Sequence, residues 1–544
     1  MPTPVTEYDF DVIVVGFGLA GACAAIAAAE GGARALIVDR AFGGGASALS
    51  GGIVYAGGGT PYQLAAGYQD TAQNMFDYLR GEVRGVVDDD TLRRFCDGSA
   101  ERLAWLESHG AQFDSSLCTY KTSYPTDPHY LYFSGNERAY PYCENAEPAP
   151  RGHRQLGAGM SSGRALWRAL RDACLALGVT FLPMTRVHEV LFENGRVSGI
   201  RCRSIPDAGA AAARRYRRTT AATVKLSNWV PLVGHRLHRH AERIWDAESI
   251  PRTITAPTVV LAAGGFVFNP DMLRRYAPAH MKVSPLGTHG DDGSGIGIGV
   301  AAGGSTAHLD RVTAWRFIAP PAAMVEGIAV GVAGNRIANE DLYGATLAEI
   351  MIRDFGGVGF LILDARMWRK ARAQLRYQTQ LFQKLWMAPI FMTGHRRAPT
   401  LSQLAHRLGI SPSGLAETVA AYNSAIANGS VDPAHKAAEY CSPLAQPPFY
   451  GVDISLRSSI ADFVPGLTLG GLRVDTGSGL VVNDVGDRIS GLYAAGRSAV
   501  GICSHSYISG LALADCVFSG KRAGEHAALS VPKLRSLAQP LTPD

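Results

Sequence analysis

Short apolar runs, most of them closed by glycine, recur along the chain and set the expected architecture. Phe10-Asp11-Val12-Ile13-Val14-Val15 is almost continuously apolar, the pattern of a parallel strand buried on both faces. Small residues at 22–30 predict a helix, and Ala35-Leu36-Ile37-Val38 predicts a second strand. Runs at 178–182 and 259–261 predict further strands of the same sheet, and 491–495 a strand that runs into a glycine turn. Residues 187–200 carry Asn194-Gly195 at their middle and predict a β-hairpin. Helical patterns cover 65–83, 88–108 and a stretch ending at Leu177, with a last helix through 512–520. Strands alternating with helices place the chain in the α/β class.

Composition narrows what this sheet can serve. With 544 residues and 47% hydrophobic positions, the chain can bury a core of roughly three to four domain-sized units. A net charge of +5 is too small for a polybasic nucleic-acid binder. The nine cysteines are odd in number and form no C-x-x-C pair, so reduced thiols are expected and no disulfide frame, zinc or Fe–S site. No basic and apolar leader opens the chain, and no apolar run reaches about 18 residues. A cytoplasmic protein is expected, with no metal.

Gly16-Phe17-Gly18-Leu19-Ala20-Gly21 joins the first strand to its helix, and the second strand ends on Asp39. That is a dinucleotide fingerprint: a tight turn, a close backbone approach, a helix N-terminus for the pyrophosphate, and an acid for the ribose hydroxyls. Gly43 to Thr60 is a glycine/serine track interrupted by apolar residues, which reads as extended backbone offering N–H groups to a planar ligand. The glycine cluster Gly290 to Gly297 is not preceded by a strand, so no second, nicotinamide-binding domain is expected. Electrons must then pass to or from another acceptor, whose identity is unknown.

Two segments stand apart. Residues 204–252 look inserted, with Arg214, Arg215, Arg217, Arg218 and Lys225 around Trp229, then His235, His238 and His240. Residues 369–397 set Leu381, Leu385, Trp386 and Phe391 among basic residues. Basic segments carrying Trp and Leu suit either peripheral membrane contact at the inner face of the cell membrane or an ordinary basic surface or subunit contact. An aromatic loop at 115–142 (Tyr120, Tyr124, Tyr130, Tyr132, Phe133, Tyr140, Tyr142) suits either a wall for a flat apolar ligand or plain loop packing.

The GxGxxG start, the acid-ended second strand and the track Gly45-Ala46-Ser47-Ala48-Leu49-Ser50-Gly51-Gly52 resemble the fumarate reductase/3-ketosteroid dehydrogenase flavoproteins. Val259-Val260-Leu261-Ala262-Ala263-Gly264-Gly265-Phe266 and Asn335-Arg336-Ile337-Ala338-Asn339-Glu340 match further segments of that family. The resemblance implies FAD and a Rossmann-like, glutathione-reductase-type FAD-binding domain with an inserted α+β capping domain. The expected parts are 1–305 (with the insert 204–252), 306–440 for the cap, and 441–544. It also implies cofactor contacts from Gly16, Gly18, Leu19, Ala20, Gly21, Asp39, Arg40, Ala46, Ser47, Ser50, Gly51 and Gly52. Further contacts are implied from Val187 (its backbone at the adenine), Ala262, Ala263, Gly264, Asn339, Gly496, Arg497, Gly510, Leu511 and Leu513.

In the fumarate-reducing relatives a His and an Arg before the last helix clamp a substrate carboxylate. Here they fall on Cys503 and Tyr507, and the first glycine of the following pair falls on Ser509. A neutral phenol suits a ketone or enolate oxygen. Tyr507-Ile508-Ser509-Gly510 resembles the Δ4-(5α)-dehydrogenase branch of the ketosteroid enzymes. The resemblance implies a 3-ketosteroid substrate, Tyr507 on the 3-keto oxygen, Ser509 taking the C4 proton, Tyr343 relaying it towards solvent, and C5 hydride passing to the flavin. Δ1-dehydrogenation, enone reduction and carboxylate reduction are the alternatives.

Overall fold

The computed structural model describes residues 8–227, 231–457 and 464–531, and in it the apolar runs meet in one six-stranded sheet. Its order is Leu480–Val482, Arg488–Ala494, Thr258–Leu261, Val12–Val15, Ala35–Val38, Thr180–Leu182. All neighbours are parallel except the first pair. The three central strands Val12–Val15, Ala35–Val38 and Thr258–Leu261 are buried at every position, which is why they read as continuous apolar runs.

The first helix, Leu19–Glu30, packs on the last, Leu511–Ser530. A Cβ on Gly520 would sit 2.4 Å from the Ala20 carbonyl oxygen, and one on Gly524 2.1 Å from that of Ala24. The two helices therefore meet backbone to backbone, and the two ends of the chain build one domain around one core.

Beside this sheet lies an antiparallel meander of Thr185–Glu193, Arg196–Ser204 and Ile250–Thr255. Its first turn is Asn194-Gly195, both at positive φ (51° and 75°), as a two-residue hairpin requires. The insert enters and leaves at Ser204 and Ile250, which face each other across the meander, and folds as two helices, Ala210–Ser227 and Pro231–Glu248.

The cap has its own antiparallel sheet, Ile328–Val330, Phe360–Leu363, Phe449–Asp453, His395–Ala398, and its own apolar core. Phe449–Asp453 pairs on both sides within that sheet, Phe360 opposite Asp453 and Ala398 opposite Phe449. The cap strands thus continue past the boundary expected at 441. The glycine/serine track is not extended throughout: Gly43 and Gly44 take positive φ (78° and 93°), Gly45–Leu49 makes a turn of helix, and the strand Ile53–Tyr55 follows. The expected helix at 65–83 is two, Pro61–Ala65 and Ala72–Val83, parted at Gly67 (φ 85°). All nine cysteines are free thiols. Among the described residues no His/Cys/Asp/Glu group could hold a metal ion, and no helix is long and apolar enough to cross a membrane.

Candidate functional site

A cavity of about 640 Å³, within the ~300–1,000 Å³ of small-ligand sites, opens where the first strand meets its helix. A Cβ on Gly16 (φ 104°) would lie 2.5 Å from the Ala262 oxygen, and one on Gly21 1.9 Å from the Gly16 oxygen. The turn is thus as tight as backbone contact allows, and the helix N-terminus faces the cavity with its N–H groups and positive dipole end. Asp39 braces the turn by accepting from Phe17 N (2.8 Å) and Ala41 N (2.7 Å), while still lining the cavity. Arg40 pairs with Asp292 at 2.5 Å, and Arg497 with Asp291 at 2.5 Å. Arg497 lines the cavity, and its Nη1 is buried with no hydrogen-bond partner among the described residues.

Leu19, Ala20, Ala46, Ser47, Val187, Ala262, Ala263, Gly264 and Gly496 line the same space as Gly16, Gly18, Asp39, Arg40 and Arg497. Gly21 lies behind the turn, and Ser50, Gly51, Gly52, Asn339, Gly510, Leu511 and Leu513 lie outside the lining. Asn339 donates to the Tyr140 carbonyl at 3.1 Å. Gly51 abuts the Tyr124 ring, where a Cβ would be 2.4 Å away. Helix N-terminus, ribose acid, close-approach glycines and the buried Nη1 of Arg497 together fit a dinucleotide.

Arg497→Met is expected to strand the Asp291 carboxylate in the interior, and truncating one partner of a buried pair costs about 3–5 kcal/mol. Urea unfolding of the full chain should show that loss, and cofactor retention should fall with it. Unaltered unfolding with full cofactor retention contradicts this role.

A second cluster lies before the last helix. Gly510 (φ 92°) caps that helix, and a Cβ there would be 2.8 Å from Tyr55 N. The segment 503–510 thus crosses the strand Ile53–Tyr55 at backbone contact, and Tyr55 N donates to the Gly510 oxygen at 3.2 Å. Ser509 N donates to the Ser134 oxygen at 3.2 Å, and Ser134 Oγ to the Ser509 oxygen at 2.9 Å. These bonds fix both side chains. Tyr132 Oη donates to Ser509 Oγ at 2.8 Å, and contact with Ser509 also reaches Tyr343. The Tyr507 ring lies 4.9 Å from Trp315 and 6.4 Å from Tyr343, which has Phe317 at 5.4 Å.

The structure therefore brings Tyr507, Ser509 and Tyr343 together. Burial pushes the phenols of Tyr507, Tyr343 and Tyr132 up, so all three are neutral donors. The Tyr507 hydroxyl makes no hydrogen bond among the described residues, which leaves its donor free. Cys503 is buried and donates to Asp515 Oδ2 at 3.5 Å.

Sequence reasoning did not single out Tyr132, Trp315, Glu82 or Asn136. Tyr132 was one of seven aromatics in the loop. Most of the others serve packing: Phe133 sits against Tyr68, Tyr140 stacks on His435, and Tyr142 meets Tyr78. Asn136 Oδ1 accepts from Tyr343 N at 2.6 Å, and its Nδ2 donates to Glu82 Oε1 at 2.7 Å. Ser506 Oγ reaches Glu82 Oε2 at 3.1 Å. This buried frame ties the segment carrying Tyr507 to the helix that Tyr343 precedes.

The chain matches the family described as FAD binding domain over residues 11–510. It is 35% identical over 496 residues to a 3-oxo-5-alpha-steroid 4-dehydrogenase of Comamonas testosteroni, covering 89% of this chain and 92% of that one. Its fold is similar to the crystal structure of 3-ketosteroid Δ4-(5α)-dehydrogenase from Rhodococcus jostii RHA1 in complex with 4-androstene-3,17-dione. The TM-score is 0.80 at 31% identity, over 97% of this chain and 99% of that one. The open conformation of a flavocytochrome c3 fumarate reductase is similar at TM-score 0.61 and 25% identity, over 96% of this chain and 78% of that one.

Proposed function

This chain belongs to the FAD binding domain family and is an FAD-dependent oxidoreductase; we propose that it introduces the C4–C5 double bond into saturated 3-oxosteroids. The observation that carries this reading is a neutral phenol with a free donor, Tyr507, two residues from a serine embedded among phenol hydroxyls. A hydrogen next to a ketone becomes acidic only when the enolate oxygen is stabilised, and an O–H aimed at that oxygen supplies the stabilisation.

FAD would be held along the cavity by the N-terminus of the helix Leu19–Glu30, Asp39, Arg40 and Arg497. Bound there, it supplies the hydride acceptor for the C5 hydrogen. Tyr507 Oη donates to the 3-keto oxygen and follows its charge as C4 is deprotonated. Ser509 Oγ takes the C4 proton. Serine is a weak base, so its own proton must pass to Tyr343 as the new one arrives, and Tyr343 gives up its own phenolic proton towards solvent in the same relay. Tyr132, donating to Ser509 Oγ, occupies one lone pair and turns the other towards substrate. Trp315 and Phe317 give the flat apolar wall a sterol ring system needs.

The test is positional. Holoenzyme given a 3-oxo-5α-steroid deuterated at C4 should lose label from C4 and turn over more slowly than with unlabelled substrate. A substrate deuterated at C1 should keep its label. Loss from C1 would assign Δ1-dehydrogenation instead.

Peripheral contact with an anionic lipid surface is proposed for the helix Leu381–Met392. Leu381, Leu385 and Met392 are 72%, 61% and 75% exposed, with Arg376, Lys384 and Arg396 around them. Phe382 packs on Tyr124, and Gln383 donates to the Tyr124 oxygen at 3.2 Å, which ties this helix to the loop that carries Tyr132. The protein should sediment with anionic vesicles, and Leu381→Glu with Leu385→Glu should release it. Equal sedimentation of the double variant contradicts the assignment. In the other basic segment, 204–252, Trp229 lies outside the described residues.

A further inference from the structure

The helical hairpin between Ser204 and Ile250 has no role in the chemistry above. It does not stand off the molecule. Tyr216 and Trp245 are buried with Met184 and pack near Phe42. Glu242 pairs with Arg186 of the meander at 2.6 Å, and that guanidinium lies 4.2 Å from the Trp245 ring centroid. Tyr216 Oη reaches the carbonyl of Arg40 at 3.4 Å, next to Asp39 at the end of the second strand.

The inner side of the hairpin closes one end of the cavity. Tyr216, Thr220, His238 and Glu242 line it together with Asp39 and Val187. In such a groove the glycine turn and helix N-terminus take the pyrophosphate, and the acid ending the second strand takes a ribose. The end beyond Asp39 is therefore the adenosine end. The groups there suit a purine, which offers flat faces and polar edges. The His238 and His289 rings are parallel, with centroids 4.0 Å apart. The Nε2 of His289 and the Oγ1 of Thr220 are buried in the same wall with no hydrogen-bond partner among the described residues. Burial holds the His289 imidazole down at about 3 and the His238 imidazole below its usual range, so both rings are neutral at pH 7.

We propose that the hairpin is an adenosine clamp: it closes over the AMP half of bound FAD and sets how slowly the cofactor leaves. This rests on FAD as the cofactor and is independent of the steroid reading. Because Ser204 and Ile250 are paired, residues 205–249 can be replaced by an Asn-Gly turn without altering either strand. That variant of the full chain, and separately the double variant Thr220→Ala with His238→Ala, would be loaded with FAD and diluted. Recovery of free-flavin fluorescence then gives the release rate. Release should accelerate about tenfold or more in the deletion, the equivalent of ~1.4 kcal/mol of binding, and measurably in the double variant. FMN, which lacks the adenosine, should bind native and variant proteins with equal affinity. FAD release unchanged in the double variant overturns the clamp, as does equal weakening of FMN and FAD. If the deletion does not fold, the double variant decides alone.

Discussion

Tyr507→Phe is expected to lower kcat by about 10²–10³-fold, the cost of removing one oxyanion donor. The change deletes a single oxygen that has no bond to another described residue, so stability and flavin content should be untouched. KM should change little, because the hydrogen bond gains most of its strength as charge develops on the oxygen. The native enzyme should also show no alkaline loss of rate near pH 10, where an exposed phenol ionises. Burial raises the Tyr507 phenol above that value, and the protonated form is the active one. Steady-state kinetics of both proteins between pH 7 and about 10.5 check the two statements together. A Tyr507→Phe enzyme with native turnover removes the oxyanion role.

Ser509→Ala is the second large effect. Loss of a positioned general base lowers turnover by about 10²–10⁴-fold. Unlike the tyrosine change, it should also cost stability, because Tyr132 loses its acceptor at 2.8 Å in a buried place. An unsatisfied buried hydroxyl costs about 1–3 kcal/mol. The pair of readouts separates the two roles: activity without a stability change for Tyr507, both together for Ser509. Stopped-flow flavin reduction and urea unfolding of the variants measure them. Flavin reduction at the native rate in Ser509→Ala places the base elsewhere.

How far these residues could be read in the sequence follows from how local each signal is. Gly16, Gly18, Gly21 and Asp39 act within one strand–helix–strand unit, so their spacing carries their meaning. Tyr507 and Ser509 stood out because they occupy positions where related chains carry a cation and a glycine. Tyr132 gave no comparable signal. It meets Ser509 across 377 residues of chain, through a three-stranded sheet that joins Ile53–Tyr55, Gly152–Arg154 and Leu131–Tyr132. Asn136 and Glu82 are similarly remote from the residues they hold.

Phe449–Asp453 shows a different limit. A short apolar run does not say which sheet it joins, and here both neighbours belong to the cap. The insert at 204–252 was legible as an insert from its basic composition, but the sequence did not show which way it faced. Its contacts with Arg186, Arg40 and His289 come from three separate segments and give it that direction.

Enolisation of a ketone at the Tyr507 cluster, with hydride passing to bound FAD, is the proposed chemistry. It is tested most directly by mixing the yellow holoenzyme anaerobically with a saturated 3-oxo-5α-steroid. The flavin absorbance should bleach, and one equivalent of 4-ene-3-oxosteroid should appear per flavin reduced. A flavin that stays oxidised with the steroid, in an enzyme whose reduced form is reoxidised by fumarate, would contradict the account.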